Sequence, residues 1–324
     1  MAPSHSTSVH RRTLLMRAVR MAGGVPALMN IEEPSGDWPL LQVRSAGICG
    51  SDLTLLPSGL PVTVGHEIAG TFDGKRYCVE PTVRCGVCDQ CLVGATQRCR
   101  GTAPHGLLGV NFDGGLADQV RVPTECLVPL PEGLPIEDAA LVEPLAVCCH
   151  ALRRVSVSPG DRVLVVGGGS IGLLAVAAAR ALGLDVDLAA RHPHQTEAGH
   201  RLGAGTPAGE YDVVVESAGT ESSLATCVER VAPGGRVAVV GVSAAARPIA
   251  DIAFMMKEIS VVACTCYGHG DHGRDFTQAA GIIAANPQIA ATVITHRFPL
   301  ADAAEAFRVA ADRAVGSIKV VLQP

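Results

Sequence analysis

Arg162-Val163-Leu164-Val165-Val166-Gly167-Gly168-Gly169-Ser170-Ile171-Gly172 is the stretch whose reading decides the fold. Its first five residues are almost continuously apolar. That is the pattern of a parallel-sheet strand covered on both faces, not of a strand with one wet side. The next six read G-x-G-x-x-G, and an Ala-rich helix follows to about Leu182. A strand feeding a glycine turn that opens a helix is the setting in which this pattern carries chemistry. Gly167, Gly169 and Gly172 let backbone approach closely. With Ser170 and Ile171 in the first helical turn, they form a candidate pyrophosphate site at a helix N-terminus.

Working downstream, Asp185–Ala190, Tyr211–Gly219, Gly234–Gly241 and Glu258–Cys264 carry further strand signals. Strands alternating with helices predict an open parallel sheet. A site for NAD places Asp or Glu near the end of the second strand to hold the ribose hydroxyls. Here that place reads Ala190-Arg191-His192. The acid that would repel a 2′-phosphate is absent, and a guanidinium able to pair with one is present. The expectation is NADP in preference to NAD.

Working upstream, the texture changes at Pro159-Gly160-Asp161. Before it lie Gly65-His66-Glu67 and, eighteen residues after Glu67, Cys85-x2-Cys88-x2-Cys91-x7-Cys99. Four clustered thiols can close a tetrahedral shell alone, as in a structural zinc site. Iron–sulfur ferredoxin runs place three residues before the fourth Cys and a Pro after it. Here seven intervene and Arg100 follows, which favours zinc. A nucleic-acid zinc knuckle would want interleaved aromatics, and there are none. His66 and Glu67 cannot close a shell and need distant partners. Cys49, in Gly47-Ile48-Cys49-Gly50-Ser51-Asp52 after the strand Leu40–Arg44, is one candidate. By itself it reads as a buried thiol; its neighbours make it a ligand. Glu143, an acid inside the apolar run Ala139–Ala146, is the other, because a buried carboxylate needs a partner or a metal.

Composition bounds the rest. The chain has 324 residues, 48% apolar, which is enough for two domains with buried cores. A net charge of −5 points to neither nucleic acid nor an anionic membrane. The cysteines cluster or lie in apolar runs, as suits metal-bound and buried thiols in a reducing compartment. No run approaches the ~20 apolar residues of a membrane helix. A soluble cytoplasmic protein is expected. Residues 1–16 read as a loose extension, 13–48 as short antiparallel strands, and Pro135-Ile136-Glu137-Asp138 as the opening of a helix. Asp73-Gly74 reads as a hairpin turn. The tail reads as a helix at Asp302–Ala311 and a strand at Ser317–Leu322.

Taken together, GICGSD at 47–52, GHE at 65–67, the four-cysteine lobe, EPLAVCCHA at 143–151, GGGSIG at 167–172 and THRFPL at 295–300 resemble the zinc-dependent medium-chain dehydrogenase/reductase superfamily, specifically its polyol and threonine dehydrogenase branch. The resemblance covers roughly residues 16–324. It implies an α/β architecture: a GroES-like β-rich catalytic domain plus a Rossmann doubly wound parallel sheet. The catalytic domain would take 1–155 and 290–324, with the structural zinc lobe at about 80–100; the Rossmann domain would take 156–289. It implies two Zn2+ per chain. Cys49, His66 and Glu143 would bind the catalytic ion, with Glu67 a fourth or exchanging ligand. Cys85, Cys88, Cys91 and Cys99 would bind the structural ion. Asp52 would orient His66, and Ser51 would take the substrate proton.

Two features depart from the family. Many relatives carry His three residues after the proton-relay hydroxyl, where this chain has Thr54. Only 16 residues separate Cys49 from His66, and Thr71–Val79 is also short. The implied activity is interconversion of a secondary alcohol and ketone on a small polar polyol, cyclitol or aminocyclitol, sugar or amino alcohol, by a homodimer or homotetramer. The rival readings are a zinc-free quinone or enone reductase and a non-enzymatic NADPH-binding protein with only a structural zinc.

Overall fold

A computed structural model describes residues 14–54, 60–102, 104–243, 245–248 and 252–324. Five strands form an all-parallel sheet in the order Asp185–Ala189, Arg162–Val166, Tyr211–Glu216, Val231–Val239 and Ser260–Ala263. A parallel bridge from Asp187 to Gly205 extends the first edge. Val163 and Val165 pack into one hydrophobic core, Leu164 and Val166 into another. That is why residues 163–166 are apolar at every position: each face is covered by helices. Ser170–Ala181 connects the first strand to the second, Pro193–Arg201 follows the second, and Glu221–Arg230 follows the third. Strand order reverses between Arg162–Val166 and Tyr211–Glu216, which opens a crevice at their carboxyl ends. A Cβ at Gly172 would overlap the Gly167 carbonyl oxygen, and Gly167 itself has φ +116°. The helix therefore closes on the turn only with glycine at both places.

The second body is a mixed sheet. Its path runs Ile294–Pro299, Lys319–Gln323, Leu40–Gly47, Glu67–Phe72, Lys75–Val79, Leu127–Pro129, and Gln119–Arg121 also pairs with Leu40–Gly47. The turn Asp73-Gly74 has φ 49° and 70°, the left-handed pair of a tight hairpin. This sheet lays the last strand of the chain antiparallel to Leu40–Gly47. No helix among the described residues is long and apolar enough to cross a membrane.

Two expectations are corrected. The loose extension does not reach residue 16. Leu15–Ala22 and Val25–Glu32 form a hairpin about Gly23-Gly24, with Met16, Ala18, Val19 and Met21 buried. Arg17 ties the hairpin to Asp118 at 2.7 Å; residues 1–13 lie outside the described residues. Nor does Pro135 open an α-helix. A 3-10 turn at Ala139–Leu141 precedes the α-helix Val142–Arg154. The reason is Pro144. A helix starting at 135 would bury it in its interior, whereas a start at 142 puts it in the first turn, where no amide partner is needed.

Candidate metal centre and cofactor crevice

Antiparallel pairing sets Glu67 directly opposite Gly47. Cys49 lies two residues beyond Gly47, and His66 one residue before Glu67. The Cys49 thiol, a His66 ring nitrogen and a Glu67 carboxylate oxygen all lie within 4.8 Å of one another, a set that could hold a metal ion. A side chain at position 47 would overlap the Glu67 carboxylate, so glycine there makes room for the acid. Asp52, in the short helix Gly50–Thr54, accepts from the Cys49 amide at 2.9 Å. Its other oxygen faces His66 Nδ1 at 3.5 Å, longer than a hydrogen bond. Both atoms are buried without a hydrogen-bond partner. Ser51 sits half-buried beside Asp52. The Thr54 hydroxyl donates to the Gly50 carbonyl at 2.9 Å and is turned back on its own helix.

Lys319 was missed from sequence. Lys319 Nζ donates to both Glu67 oxygens, at 2.6 and 2.8 Å, and to the Ile48 carbonyl at 3.0 Å. Lys319 is 2% exposed and Glu67 is fully buried. Burial works against the ammonium, but the charges of Glu67 and Cys49 raise its pKa above the usual lysine value. The signal was a lone lysine in an otherwise apolar final strand.

Glu143, in the first turn of Val142–Arg154, is buried and faces the same centre but stands outside the Cys49–His66–Glu67 trio. Burial pushes its carboxyl up to about 7, countered by the charges of His66 and Lys319. Burial also raises Asp52, with His66 opposing. For His66 burial acts downward, yet the negative charges of Asp52, Cys49 and Glu143 lift it well above the usual histidine value. Four potential anions thus crowd one lysine and one imidazole in a dry site. A surplus of negative donors around the Cys49–His66–Glu67 trio is what a divalent cation would resolve, so the residues fit zinc. Tyr267 is fully buried beside Glu143, and its hydroxyl has no hydrogen-bond partner among the described residues.

Cys85, Cys88, Cys91 and Cys99 also gather within 4.8 Å and are all free thiols. Cys85 and Cys91 sulfurs are 4.0 Å apart, close to the ~3.8 Å edge of a tetrahedron with 2.3 Å zinc–sulfur bonds. The amides of Cys85 and Cys88 donate to the sulfurs of Cys99 and Cys85, at 3.3 and 3.4 Å. Backbone bonds from Arg100 and Cys91 lower the Cys88 thiol to about 6. Burial pushes the Cys91 thiol the other way, up to about 12; four sulfurs gathered at this spacing are the donor set of a closed zinc site.

In the parallel domain a cavity of about 550 Å3 lies at the sheet's carboxyl edge. Gly167, Gly168, Gly169, Ala190, Arg191 and His192 line it, opposite Ser217 and Ala218. Ser170, Ile171 and Gly172 form the first turn of the helix behind that wall. Asp187, the acid inside the second strand, accepts from the Tyr211 hydroxyl at 2.7 Å and is engaged there.

Two family models match the chain. Residues 35–132 match the alcohol dehydrogenase GroES-like domain, and residues 136–323 match the glucose dehydrogenase C-terminus. The chain belongs to the zinc-dependent medium-chain dehydrogenase/reductase superfamily. Within that superfamily its relatives place it in the polyol dehydrogenase branch, as an oxidoreductase. D-xylulose reductase of Scheffersomyces stipitis is 31% identical over 86% of this chain and 88% of its own. L-galactonate-5-dehydrogenase of Escherichia coli is 29% identical over 85% and 88%. A zinc-binding dehydrogenase structure from Sinorhizobium meliloti, bound to NADP, superposes with a TM-score of 0.82 at 28% identity, covering 96% of this chain and all of that one.

Proposed function

We propose that this dehydrogenase interconverts a secondary alcohol and its ketone on a small polyhydroxylated substrate, a polyol, cyclitol, sugar or sugar acid, using NADP(H) and two zinc ions per chain. The observation that carries the reading is the convergence of Cys49, His66 and Glu67 in a dry, anion-rich centre. Zinc, when bound, would polarise the substrate oxygen, and the nicotinamide would exchange hydride with the adjacent carbon. Cys49, His66 and Glu67 would hold the metal. Asp52 would fix the His66 ring from Nδ1. Glu143 would stand as a further or alternating ligand. Lys319 would hold Glu67 when the acid is not engaged with metal. Ser51 would accept the hydroxyl proton. Because Thr54 is tied to Gly50, the proton would leave through water or cofactor hydroxyls.

Arg191 in the cavity wall, with no acid at the end of the second strand, supports NADP. The NADP-bound relative and the sugar-acid and pentitol names of others support the cofactor and substrate class. We propose assembly into a homodimer or homotetramer. Ser260–Ala263 is the edge of the parallel sheet, and the exposed Ile252, Met255 and Met256 precede it.

The experiment is the initial rate of cofactor reduction across cyclic and open-chain secondary alcohols, with NADP and with NAD. Turnover of polyhydroxylated substrates, faster with NADP, is expected. Turnover confined to apolar alcohols would overturn the substrate class, and a preference for NAD would overturn the role given to Arg191.

A further inference from the structure

We infer that the four-cysteine lobe positions the catalytic centre through a buried latch built on Asp275, and that Gln97, His150 and Asp275 are positioning residues for turnover. The inference rests on the dehydrogenase reading above.

Asp275 opens the helix Asp275–Ala285 and is 2% exposed. It accepts from the Gly268 amide at 2.8 Å and from Arg153 at 2.7 and 3.1 Å. His150 Nδ1 lies 3.1 Å away. Burial pushes the Asp275 carboxyl up, but these bonds hold it below the usual carboxylate range. The far nitrogen of His150 meets the Gln97 amide at 3.3 Å. Gln97 belongs to the short turn Thr96–Arg98, which lies inside the lobe between Cys91 and Cys99.

A second tie runs alongside. The His269 amide donates to the Gly94 carbonyl at 2.8 Å. The segments meet at backbone distance. A Cβ at Gly268 would stand 2.8 Å from the Gly94 oxygen and 3.0 Å from the Gln97 side chain, and one at Gly270 would stand 2.7 Å from Arg153. The lobe, the helix Val142–Arg154 and the loop 266–270 are interlocked.

The other end of each tie reaches the catalytic centre. His150 and Glu143 share one helix, seven residues apart, which puts them on the same face two turns apart. Tyr267 immediately precedes Gly268, and its ring packs edge-on against Phe276 at 4.7 Å. Asp275 and Phe276 thus hold Tyr267 twice, by the following amide and by the ring, and the buried Tyr267 side chain lies beside Glu143. A lobe that served folding alone could be closed by its thiols and packed with apolar side chains. A polar network centred on two buried groups, His150 and Asp275, costs more than apolar packing and is retained where one arrangement must be specified.

Gln97→Leu tests this without touching a thiol or the metal trio. The readouts are kcat, KM for NADP, and amide hydrogen exchange over residues 266–270. Loss of one hydrogen bond into a charged network predicts exchange about tenfold faster in that loop and kcat about tenfold lower, with KM for NADP within about twofold because the crevice is untouched. Asp275→Asn, which keeps the shape and one acceptor, should move the same readouts in the same sense if it folds. Unchanged exchange in the loop would show that the lobe does not hold it. Faster exchange with unchanged kcat would show that the loop has no part in turnover. Either result overturns the inference. A wild-type chain that turns over no alcohol would instead refute the dehydrogenase reading, and exchange would still decide whether the latch exists.

Discussion

Replacing Lys319 by methionine keeps the length of the side chain and deletes its charge, leaving Glu67 fully buried with both oxygens stripped of their donor. Removing one partner of a buried pair costs roughly 3–5 kcal/mol. The acid's escape is to take up a proton, which costs an ordinary glutamate about (7 − 4.3) × 1.36, or ~3.7 kcal/mol, at pH 7 and only about 1 kcal/mol at pH 5. The metal-free variant should therefore be about 4 kcal/mol less stable at pH 7, a melting midpoint lower by about 8–15 °C, with most of the deficit gone at pH 5. Zinc offers Glu67 a second cation, so it should raise the midpoint of the variant more than that of the wild type. Adding Glu67→Gln to the variant should recover most of the loss, since no buried charge remains. The assay is thermal unfolding of chelator-treated and zinc-loaded protein at both pH values. A metal-free variant melting within about 2 °C of wild type at pH 7, or an equal zinc response in both, would refute the argument that this lysine neutralises Glu67.

Glu143, with its folded pKa raised to about 7, binds a proton in the native state between about pH 4.3 and 7 that the unfolded chain has released. Metal-free stability should fall as pH rises through that window, and Glu143→Gln should flatten the fall; urea midpoints at pH 5 and pH 8 check it. Arg191→Ala should weaken NADP by about 10- to 100-fold, the worth of a charge-assisted bond to phosphate, and leave NAD within about twofold; the ratio of kcat/KM for the two cofactors reads this. Cys85→Ser should reduce bound zinc from two ions per chain to one and lower the melting midpoint while leaving the Cys49–His66–Glu67 site loaded, which metal analysis by mass spectrometry decides.

What could be read from the sequence was what is contiguous. The run from Arg162 to Gly172 carries its own strand, turn and helix start, because every position in it is decided by local geometry and two covered faces. The four thiols are likewise a local signature. Cys49 and His66 were legible because each lies in a short motif beside a strand. Lys319 was not, because it reaches Glu67 from 252 positions away, and only the antiparallel pairing of the last strand with Leu40–Gly47 brings it there. Tyr267 escaped for a similar reason. Its place depends on Asp275, Gly268 and Phe276 closing around it, and none of these forms a recognisable spacing with Glu143. The start of Val142–Arg154 was misplaced because acids and proline at 135–138 mimic a helix N-terminus, while the constraint that decides it is the later Pro144.

The most direct test of the central claim is the turnover of Cys49→Ser. Replacing a thiolate by a hydroxyl should remove the catalytic ion while leaving the cofactor crevice intact. The expected result is a loss of turnover of at least about a thousandfold, with NADPH binding unchanged and one zinc retained in the lobe. Turnover near the wild-type rate would contradict the assignment of catalysis to a metal held by Cys49, His66 and Glu67.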